Sequence, residues 1–493
     1  MLTLIERAPG FGESVAILDA AGKHSYADLF DVSHQRAGAL LAGADDLSGA
    51  RVALMVEPGF EYVSWQWATW RAGGVTVPIS LTHPAPEIEY LLEDATPEIV
   101  VASGKHLDTL HPLVADRPIR LVDSGDIGSG RGVLPDVESD RPAMILYTSG
   151  TTGRPKGVVS THQGIEAQIE SLVEAWEWSD RDRILLVLPL HHVHGLINVV
   201  GCALWSGAIC EMLPRFDAEE CWEHLASGNL TLFMAVPTLY HRLIAAWEQS
   251  SPEDQLRLSE SCHGLRLMIS GSAALPVPVL ERWREISRHT LLERYGMTEI
   301  GMALSNPYQG ERKPGWVGSP LPGVEARLIG EDGGLVPDGS PGEIQVRGPT
   351  VFTEYWQRPD ATNEAFVDGW FQTGDIAISE QGRYRILGRE SVDIIKTGAE
   401  KVSALEIEEV LLGHEAVSEA AVVGVPDEEW GEKVIAAVVL RDSDLAHSEL
   451  TAWCKASLAP HKVPKEFHVV PELPRNAMGK VMKPEVARTL TEA

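Results

Sequence analysis

The chain has 493 residues, more than one ordinary hydrophobic core organises, so at least two domains are expected. Its 71 acidic residues exceed its 41 basic residues, and the net charge of −30 disfavours nucleic acid and anionic membranes as partners. The five cysteines are scattered and never spaced as Cys-x-x-Cys, which predicts reduced thiols rather than a disulfide framework or a zinc site.

The first residues and the apolar runs of the sequence predict a cytoplasmic protein. Residues 1–7 lack the basic stretch and the apolar core of a signal peptide. No run of about 18 apolar residues occurs, so no membrane-spanning helix is expected. The expected assembly is a monomer or a weak homodimer.

Short β-branched runs alternate with longer amphipathic stretches along most of the chain. Residues 51–56, 99–101 and 184–188 are runs of this kind, and each predicts a strand. Such alternation is typical of βαβ units around mainly parallel sheets. Between residues 315 and 389 helical periodicity fades and Gly-containing turns become frequent, which predicts a smaller β-rich subdomain.

After Arg389 the α/β pattern returns. Ser403 is placed to cap a helix over residues 404–412, and a strand over residues 420–425 is expected to follow. We therefore place a boundary between residues 389 and 390, which leaves a C-terminal domain of ordinary size. The predicted fold class is α/β: a large N-terminal domain (1–389) of parallel-type βα sheets with a β-rich subdomain (315–389), then a small α/β C-terminal domain (390–493).

The strongest local signal is the segment Leu-Tyr-Thr-Ser-Gly-Thr-Thr-Gly-Arg-Pro-Lys-Gly at residues 146–157. Its glycines let the backbone turn tightly and bring N–H groups close to a ligand. Its hydroxyl groups and Lys156 add donors and a positive charge that suit phosphate oxygens. A Gly/Thr-rich surface turn is the plain alternative, but the density of donors favours phosphate binding. Because Gly157, not Ser or Thr, follows Lys156, this is not a Walker A loop, and an ordinary P-loop ATPase is disfavoured.

This segment resembles the signature loop of the adenylate-forming superfamily, which contains acyl-CoA synthetases, peptide-synthetase adenylation domains and luciferases. Further segments resemble the motifs of that superfamily in the expected order: Tyr-Gly-Met-Thr-Glu at 295–299, Phe-Gln-Thr-Gly-Asp at 371–375, Gly-Arg at 388–389 and Pro-Arg-Asn-Ala-Met-Gly-Lys at 474–480. Ordered matches across the whole chain are far more specific than one match. The resemblance implies an enzyme that uses ATP and Mg²⁺ to activate a carboxylate as its acyl-adenylate, then transfers the acyl group to coenzyme A.

The resemblance also assigns residues that bind ATP. The implied phosphate-binding residues are Thr148, Ser149, Gly150, Thr151, Thr152, Gly153 and Lys156. The implied adenosine-binding residues are Gly271, Ser272, Ala273, Tyr295, Gly296, Asp375 and Arg389, with Asp375 accepting hydrogen bonds from the ribose and Arg389 supporting it. Glu299 and Thr151 are the implied Mg²⁺ ligands, since one hard carboxylate with phosphates and water is a usual magnesium arrangement.

The implied catalytic residues are Lys480, Thr298, Glu299 and His192. Thr298 would contact the α-phosphate, and Lys480 would bridge the oxygens of the substrate carboxylate and the α-phosphate. In the superfamily the mobile C-terminal domain rotates after adenylation, so that this lysine leaves the site.

The same rotation implies a role for the segment at residues 396–399, in which Lys396 and Gly398 would help to admit the thiol. The hinge itself departs from the family pattern. Ser391 stands two residues after the hinge arginine, where the family usually has Asp or Lys, and Asp393 follows slightly later. The resemblance therefore implies the location of the hinge but not its electrostatics.

The segment Leu-Pro-Leu-His-His-Val-His-Gly at residues 188–195 takes the place of the superfamily's substrate-gating motif, with His192 beside the carboxylate. Amino-acid-activating domains typically carry an aspartate there, so an amino-acid substrate is disfavoured. Three histidines in four positions would also suit a metal, but the gate already accounts for His192.

Arg242 and Arg294 favour an acidic acyl group. A guanidinium binds a planar carboxylate in bidentate fashion, whereas facing a fatty chain would be costly. The surrounding segments closely resemble malonyl-CoA synthetases, which implies that the acid is bound by Arg242, Arg294, His192 and Ser270. Malonate is the expected substrate and methylmalonate its neighbour, because one methyl changes selectivity by only about 1–3 kcal/mol.

Several alternatives remain open from the sequence. Both arginines would serve as structural ion pairs in a short- or medium-chain fatty acyl-CoA synthetase. A second alternative delivers the acyl group to a carrier protein instead of free coenzyme A. A third is a non-catalytic nucleotide sensor, which the joint presence of Lys156, Glu299, Asp375 and Lys480 disfavours.

Overall fold

The computed structural model describes residues 2–126, 132–148, 154–398, 400–427, 430–441, 445–475 and 481–492. Within these ranges the strands form four sheets, two of them large. No helix of the described ranges is long and apolar enough to cross a membrane. All five cysteines are buried and free, which confirms the prediction of thiols without disulfides.

The strands, in chain order, are β1 (Val15–Asp19), β2 (Gly22–Ser25), β3 (Arg51–Met55), β4 (Val75–Pro78), β5 (Ile99–Ala102), β6 (Arg120–Asp123), β7 (Pro142–Thr148), β8 (Lys156–Thr161), β9 (Arg183–Leu186), β10 (Ile209–Met212), β11 (Leu232–Ala235), β12 (Leu267–Ser270), β13 (Leu292–Met297), β14 (Gly301–Ser305), β15 (Ser319–Pro320), β16 (Glu325–Ile329), β17 (Gly342–Arg347), β18 (Glu354–Tyr355), β19 (Phe366–Val367), β20 (Trp370–Glu380), β21 (Arg383–Arg389), β22 (Ile394–Thr397), β23 (Glu400–Ser403), β24 (Val417–Asp427), β25 (Gly431–Leu440) and β26 (Glu466–Val469).

The helices are α1 (Thr3–Phe11), α2 (Tyr26–Leu41), α3 (Phe60–Arg71), α4 (Ala85–Ala95), α5 (Gly104–Val114), α6 (His162–Ala175), α7 (Cys202–Ser206), α8 (Ala218–Ala226), α9 (Pro237–Gln249), α10 (Pro252–Ser261), α11 (Val277–Ser287), α12 (Pro359–Ala365), α13 (Ala404–Leu412), α14 (His447–Ser457) and α15 (Lys483–Glu492). A π-helical segment, His194–Gly201, leads into α7, and short 3₁₀ turns lie at Cys262–Gly264 and Pro460–Lys462.

The two large sheets have parallel centres, as predicted. In one, the order is β15-β14-β13-β12-β11-β9-β10-β1-β2, and every pair from β13 through β1 is parallel. In the other, the order is β18-β8-β7-β4-β3-β5-β6, and the pairs from β7 through β6 are parallel. The predicted strands at 51–56, 99–101 and 184–188 are β3, β5 and β9, and their apolar side chains are buried in the core.

Two smaller antiparallel-type sheets follow along the chain. β16, β17, β20 and β19 form one, with β21 beside β20; this sheet lies within the stretch predicted to be β-rich, whereas β15 and β18 of that stretch join the two large sheets. β23, β22, β25 and β24 form the other, with β26 beside β25. The predicted helix over 404–412 is α13, and Ser403 caps it by accepting the Glu406 N–H at 3.2 Å.

The carboxyl ends of the parallel strands place chemistry at one edge of the nine-stranded sheet. The histidine segment follows β9, and α9 with Arg242 follows β11. Ser270 ends β12, and the turn with Glu299 follows β13. In open α/β sheets, ligands bind outside the carboxyl ends of the strands. The fold therefore brings these separated segments to one crevice.

Candidate active site

The phosphate-loop segment is the connection of a β-hairpin. Thr148 at the end of β7 pairs with Lys156 at the start of β8. The predicted residues Ser149, Gly150, Thr151, Thr152 and Gly153 lie outside the described residues. The Lys156 ammonium lies 4.8 Å from the centre of the Tyr355 ring, a cation–π contact that holds the cation in place.

Glu299 lies in the turn after β13, directly after Thr298, and is only 6% exposed. Its Oε1 accepts a hydrogen bond of 3.0 Å from the hydroxyl of Tyr355. Its backbone carbonyl accepts the Phe352 N–H at 2.7 Å. Burial raises the pKa of the Glu299 carboxyl, and its own backbone N–H, the Tyr355 hydroxyl and Arg389 offset only part of this shift. The hydrogen bond from Tyr355 therefore fixes the position of the carboxylate. A bound cation would stabilise its buried negative charge.

A magnesium ion fits this environment better than a metal held by protein ligands alone. The described residues contain no group of three or more His, Cys, Asp or Glu side chains arranged to hold a metal. Mg²⁺ commonly binds through one or two carboxylates together with substrate phosphates and water. Glu299 supplies one such carboxylate, while Thr151, the second predicted ligand, lies outside the described residues.

Asp375 is the centre of a hydrogen-bonded cluster. Arg389, its cross-strand partner on β21, donates to Oδ1 at 2.8 Å and to Oδ2 at 3.2 Å. The hydroxyl of Tyr295 donates to Oδ2 at 2.5 Å. Burial disfavours the charge on Arg389, yet Asp375 outweighs it, and the pKa of Arg389 is raised. The predicted adenosine residues Tyr295, Asp375 and Arg389 thus meet, although they come from positions 80 and 14 residues apart.

Arg294 on β13 is a buried cation with unused donors. It is 3% exposed, and its Nε and Nη1 have no hydrogen-bond partner among the described residues. Nη2 makes a long contact of 3.4 Å to the Ser272 hydroxyl. Burial lowers the pKa of Arg294 to about 9, because no carboxylate in the described ranges offsets the loss of hydration.

Gly271 is what lets this guanidinium lie against the backbone. A Cβ on Gly271 would lie 2.4 Å from Cζ of Arg294 and 2.5 Å from its Nη1. Ser272 and Ala273 follow in the exposed loop between β12 and α11. Gly296 is equally constrained, since a Cβ there would lie 2.1 Å from the Gly301 carbonyl oxygen. At both predicted positions, close neighbouring atoms therefore favour glycine over a residue with a Cβ.

The histidine segment reaches Arg294 through His194. His194 Nδ1 lies 3.3 Å from the Ser272 hydroxyl, so a polar chain runs from Arg294 through Ser272 to His194. The Nε2 atoms of His192 and His194 are buried without a partner among the described residues, as is the hydroxyl of Ser270. Burial lowers the pKa of His191 to about 3 and that of His192 to about 4. The imidazoles are therefore neutral at physiological pH.

Arg242, unlike Arg294, lies at the surface. It is an exposed residue of α9, and its guanidinium stacks over the Phe216 ring at 4.7 Å. Neither Arg242 nor Arg294 makes an ion pair with an acidic residue in the described part of the chain, so structural ion pairing does not explain them. The structure buries one of the two predicted substrate arginines and leaves the other at the surface.

The predicted C-terminal residues are only partly described. Lys480 and Ala399 lie outside the described residues. Lys396 is exposed on β22, and Gly398 has φ +64° and donates its N–H to the Trp430 carbonyl at 2.6 Å. Ser391 is exposed, while Asp393 Oδ2 accepts the Arg389 N–H at 3.0 Å.

Two residues of this region were not predicted from the sequence. Tyr355 joins Lys156 to Glu299, yet in sequence it looks like an ordinary aromatic core residue of β18. Lys483 forms buried ion pairs with Asp393 and Glu408, yet in sequence it is one more lysine near the end of the chain. Only the three-dimensional contacts distinguish them.

The fold is that of an adenylate-forming enzyme, and the chain belongs to the AMP-binding enzyme family. The model of that family matches residues 4–356, and the model of the AMP-binding enzyme C-terminal domain matches residues 406–480. These matches cover most of the chain and contain the hairpin, Glu299 and Lys480.

Particular relatives narrow the resemblance. The chain is 46% identical to the mitochondrial malonate–CoA ligase ACSF3 of Bos taurus, over 98% of this chain and 89% of that protein. The crystal structure of ATP-bound MatB from Rhodopseudomonas palustris superimposes with a TM-score of 0.91 at 36% identity, covering 100% and 99% of the two chains. A malonyl-CoA ligase ternary product complex with methylmalonyl-CoA and AMP gives a TM-score of 0.70 at 36% identity, covering 96% and 100%.

Proposed function

We propose that the chain is an ATP-dependent malonate–CoA ligase that also accepts methylmalonate. One carboxylate of the acid attacks the α-phosphorus of ATP, the bond to the β-phosphate oxygen breaks, and pyrophosphate leaves. The thiolate of coenzyme A then attacks the acyl carbon of the mixed anhydride, and AMP leaves. The named activities of the relatives and the chemistry of the acid crevice both support this assignment.

The substrate assignment rests on the buried guanidinium of Arg294, which pairs with no carboxylate of the described residues. A buried charge without a partner is costly, and the usual compensation is an ion of opposite sign. A monocarboxylate spends its only carboxylate on the α-phosphorus, so its alkyl end would leave the guanidinium uncompensated. A dicarboxylate has a second carboxylate to place on the free Nε and Nη1 donors, and a fork of two parallel hydrogen bonds suits it.

The neutral donors around Arg294 shape the same pocket. The Ser270 hydroxyl and the unpartnered Nε2 atoms of His192 and His194 are buried, and each offers a hydrogen bond without adding a net charge. We propose that they orient the acid rather than exchange protons with it, since their low pKa values keep the imidazoles neutral. We propose that Arg242, being exposed, acts at the mouth of the pocket.

The ATP end of the site handles charge and orientation. We propose that Asp375, fixed by Arg389 and Tyr295, accepts hydrogen bonds from both ribose hydroxyls. Lys156 would exchange its aromatic contact for the β- and γ-phosphates. Mg²⁺ bound at Glu299 would neutralise phosphate charge. Alignment and neutralisation of two anionic reactants are the main requirements of such a displacement.

We also propose the division into residues 1–389 and 390–493, with motion about the turn that follows Arg389. This turn is the short connection between the β16–β21 sheet and the β22–β26 sheet. In this scheme Lys480 serves adenylation, and the segment with Lys396 and Gly398 serves the thiol step. Alternation of two arrangements would let one crevice perform both half-reactions.

The decisive experiment measures pyrophosphate release with ATP, Mg²⁺ and free coenzyme A over malonate, methylmalonate, acetate, butyrate and octanoate. We expect malonate to give the highest kcat/KM, with methylmalonate within about 200-fold, the range that one methyl group supplies. Turnover on octanoate but not on malonate would replace the substrate while keeping the chemistry. Adenylation without use of free coenzyme A would favour a carrier protein as acceptor, and no pyrophosphate release with any acid would favour a nucleotide sensor.

The Arg294→Met variant links that result to the structure. We expect malonate kcat/KM to fall by about 100-fold or more, since truncating one partner of a buried charge pair costs about 2–5 kcal/mol. Butyrate should be affected far less, so the monocarboxylate is the control for folding and for ATP binding in the same preparation. Equal losses on both acids would contradict the proposed carboxylate contact.

A further inference from the structure

A buried ion-pair triad lies behind the proposed hinge. The ammonium of Lys483 lies 2.5 Å from Oδ1 of Asp393 and 2.7 Å from Oε1 of Glu408. Lys483 is only 8% exposed, so the pairs are shielded from water. The three residues come from the turn after β21, from α13 and from the first position of α15. One cation thus connects three segments of the chain.

Each carboxylate of the triad also holds a backbone group. Asp393 Oδ2 accepts the Arg389 N–H at 3.0 Å, and the Asp393 N–H donates to the Arg389 carbonyl at 2.7 Å. Glu408 Oε1 accepts the N–H of Val422 in β24 at 2.7 Å. The two carboxylates that bind Lys483 are thus themselves held by the backbone of the hinge turn and of β24.

Gly388 shows how closely the turn is packed. It has φ +133°, a conformation that favours glycine, and a Cβ there would lie 2.4 Å from Cβ of Asp393. The turn therefore has little room to relax if Asp393 loses its partner. Arg389, whose N–H this carboxylate binds, uses its guanidinium on Asp375. A continuous polar path leads from the proposed ribose carboxylate to Lys483.

Lys483 lies next to the segment that carries the proposed catalytic lysine. Arg475 and Val481 form an antiparallel bridge, and the Met482 N–H donates to the Pro474 carbonyl at 2.8 Å. In the sequence Lys480 falls between Arg475 and Val481 and three positions before Lys483, and it is outside the described residues. Three residues span at most about 11 Å, so the triad fixes an anchor within that reach.

Burial alone would disfavour the charge on Lys483. Glu408 and Asp393 outweigh burial, and the pKa of Lys483 is raised. The lysine therefore stays charged across the physiological range, so the anchor does not depend on pH there.

We propose that Lys483 is a positioning residue that ties the catalytic-lysine segment to the hinge turn and thereby aligns Lys480 for adenylation, without touching the substrate. The proposal rests on the acyl-adenylate chemistry proposed above. It requires a loss specific to the first half-reaction, because the thiol step does not use Lys480. It also requires that ATP affinity stay intact, since the ribose and phosphate contacts belong to other residues.

The test compares Lys483→Met with Lys483→Arg in the full-length protein. Adenylation is followed by pyrophosphate exchange into ATP, and the thiol step by thioester formation from supplied malonyl-adenylate and coenzyme A. We expect Lys483→Met to lower the exchange kcat at least about tenfold, because a ~1 Å misplacement of a reacting group costs up to about 100-fold. KM for ATP and the thiol step should stay within about threefold, and Lys483→Arg should restore most of the exchange rate.

Lys462→Met is the matched control. Lys462 pairs with Glu406 on the same helix, α13, at 2.6 Å, and in the described part of the chain the polar atoms of these two side chains bind only each other. It should leave both half-reactions near the wild-type rate. Equal losses of both half-reactions in Lys483→Met, or an unchanged exchange rate, would overturn the proposal. If Lys483→Met fails to fold, Asp393→Asn, which keeps the shape of the turn, replaces it with the same expectations.

The wild-type protein separates this proposal from the proposed function. If malonate proves inactive but another acid supports exchange, the substrate assignment fails, and the variants are compared on that acid and its adenylate. If none of the acids supports pyrophosphate exchange by the wild-type protein, both proposals are wrong. If Lys483→Met lowers the pyrophosphate exchange rate with an active acid but leaves the thiol step unchanged, the result supports the positioning role.

Discussion

The hydroxyl of Tyr355 donates a hydrogen bond of 3.0 Å to the carboxylate of Glu299, while the face of its ring lies 4.8 Å from the ammonium of Lys156. One side chain thus contacts both the proposed metal ligand and the proposed phosphate-binding lysine. The hydroxyl makes one contact and the ring makes the other, so removing the hydroxyl oxygen removes the first contact and keeps the second.

The Tyr355→Phe variant keeps the ring and removes the hydroxyl. We expect the Mg²⁺ concentration for half-maximal pyrophosphate release to rise about tenfold, because a hydrogen bond to a charged group is worth about 1.5–3 kcal/mol. The measurement is a Mg²⁺ titration at saturating ATP. Tyr384→Phe is the control, since that hydroxyl donates to the Ala326 carbonyl on β16, away from Glu299 and Lys156. An unchanged titration in Tyr355→Phe would show that Glu299 needs no such support.

The Asp375→Asn variant tests the ribose assignment. Replacing one carboxylate oxygen by an amide removes an acceptor and the ion pair with Arg389, so KM for ATP should rise about 10- to 100-fold. KM for malonate should change little. Steady-state kinetics with both substrates varied gives these values. Asp338→Asn, which alters an acidic residue contacting Ser379 at the far end of β20, should match the wild type. Equal effects on both KM values would point to a general distortion.

The Gly271→Ala variant tests whether the position of Arg294 depends on a missing side chain. The added Cβ would lie 2.4 Å from Cζ of the guanidinium. The guanidinium can shift, whereas the backbone need not, so we expect a loss of about 100-fold in malonate kcat/KM with a stability change near 1 kcal/mol. Gly264→Ala, where a Cβ meets nothing within 4 Å, is the control. Full malonate activity in Gly271→Ala would show that the close approach is unimportant.

Glu293 predicts a dependence of stability on pH. Burial raises the pKa of its carboxyl from 4.5 to about 8, and the Gly315 N–H, at 2.9 Å, offsets only part of this. As pH rises through 4.5, the unfolded state releases the proton first, so the stability of the folded state falls until its own carboxyl ionises near pH 8, and the full cost remains above that pH. Each pKa unit corresponds to about 1.4 kcal/mol, so the total cost is on the order of 3–5 kcal/mol.

The Glu293→Gln variant should remove this cost. We expect its urea midpoint to exceed that of the wild type at pH 8, and the gap to shrink as the pH is lowered to 5. Glu285→Gln, at an exposed residue paired with Arg282, should show no such trend. A gap that does not change with pH would mean that Glu293 ionises in the folded protein as it does in the unfolded chain.

The sequence predicts the elements whose signals are local. Ser403 and the apolar spacing that follows it define the start of α13, and the β-branched run at 51–56 defines β3, because capping and periodicity act within a few residues. The order of motifs also predicts that Tyr295, Asp375 and Arg389 bind one ligand. Their contact confirms that the chain brings them together, and their roles remain predictions.

The remaining features depend on contacts between distant segments. Tyr355 meets Glu299 across 56 residues, and Lys483 meets Asp393 across 90. Local sequence patterns, which extend over a few residues, do not predict contacts between residues this far apart. The contrast between Arg294 and Arg242 is of the same kind, because burial is set by packing of whole sheets and helices rather than by the identity of the residue.

The π-helical segment His194–Gly201 contains the i to i+5 hydrogen bond from the Cys202 N–H to the Ile197 carbonyl, the geometry produced when one residue is inserted into an α-helix. Losing one codon here would turn His194 by about 100° relative to α7. The cluster of Tyr295, Asp375 and Arg389 on β13, β20 and β21 would be untouched. The proposed acid pocket would therefore change with a single small deletion, whereas the proposed ribose contact would stay in place.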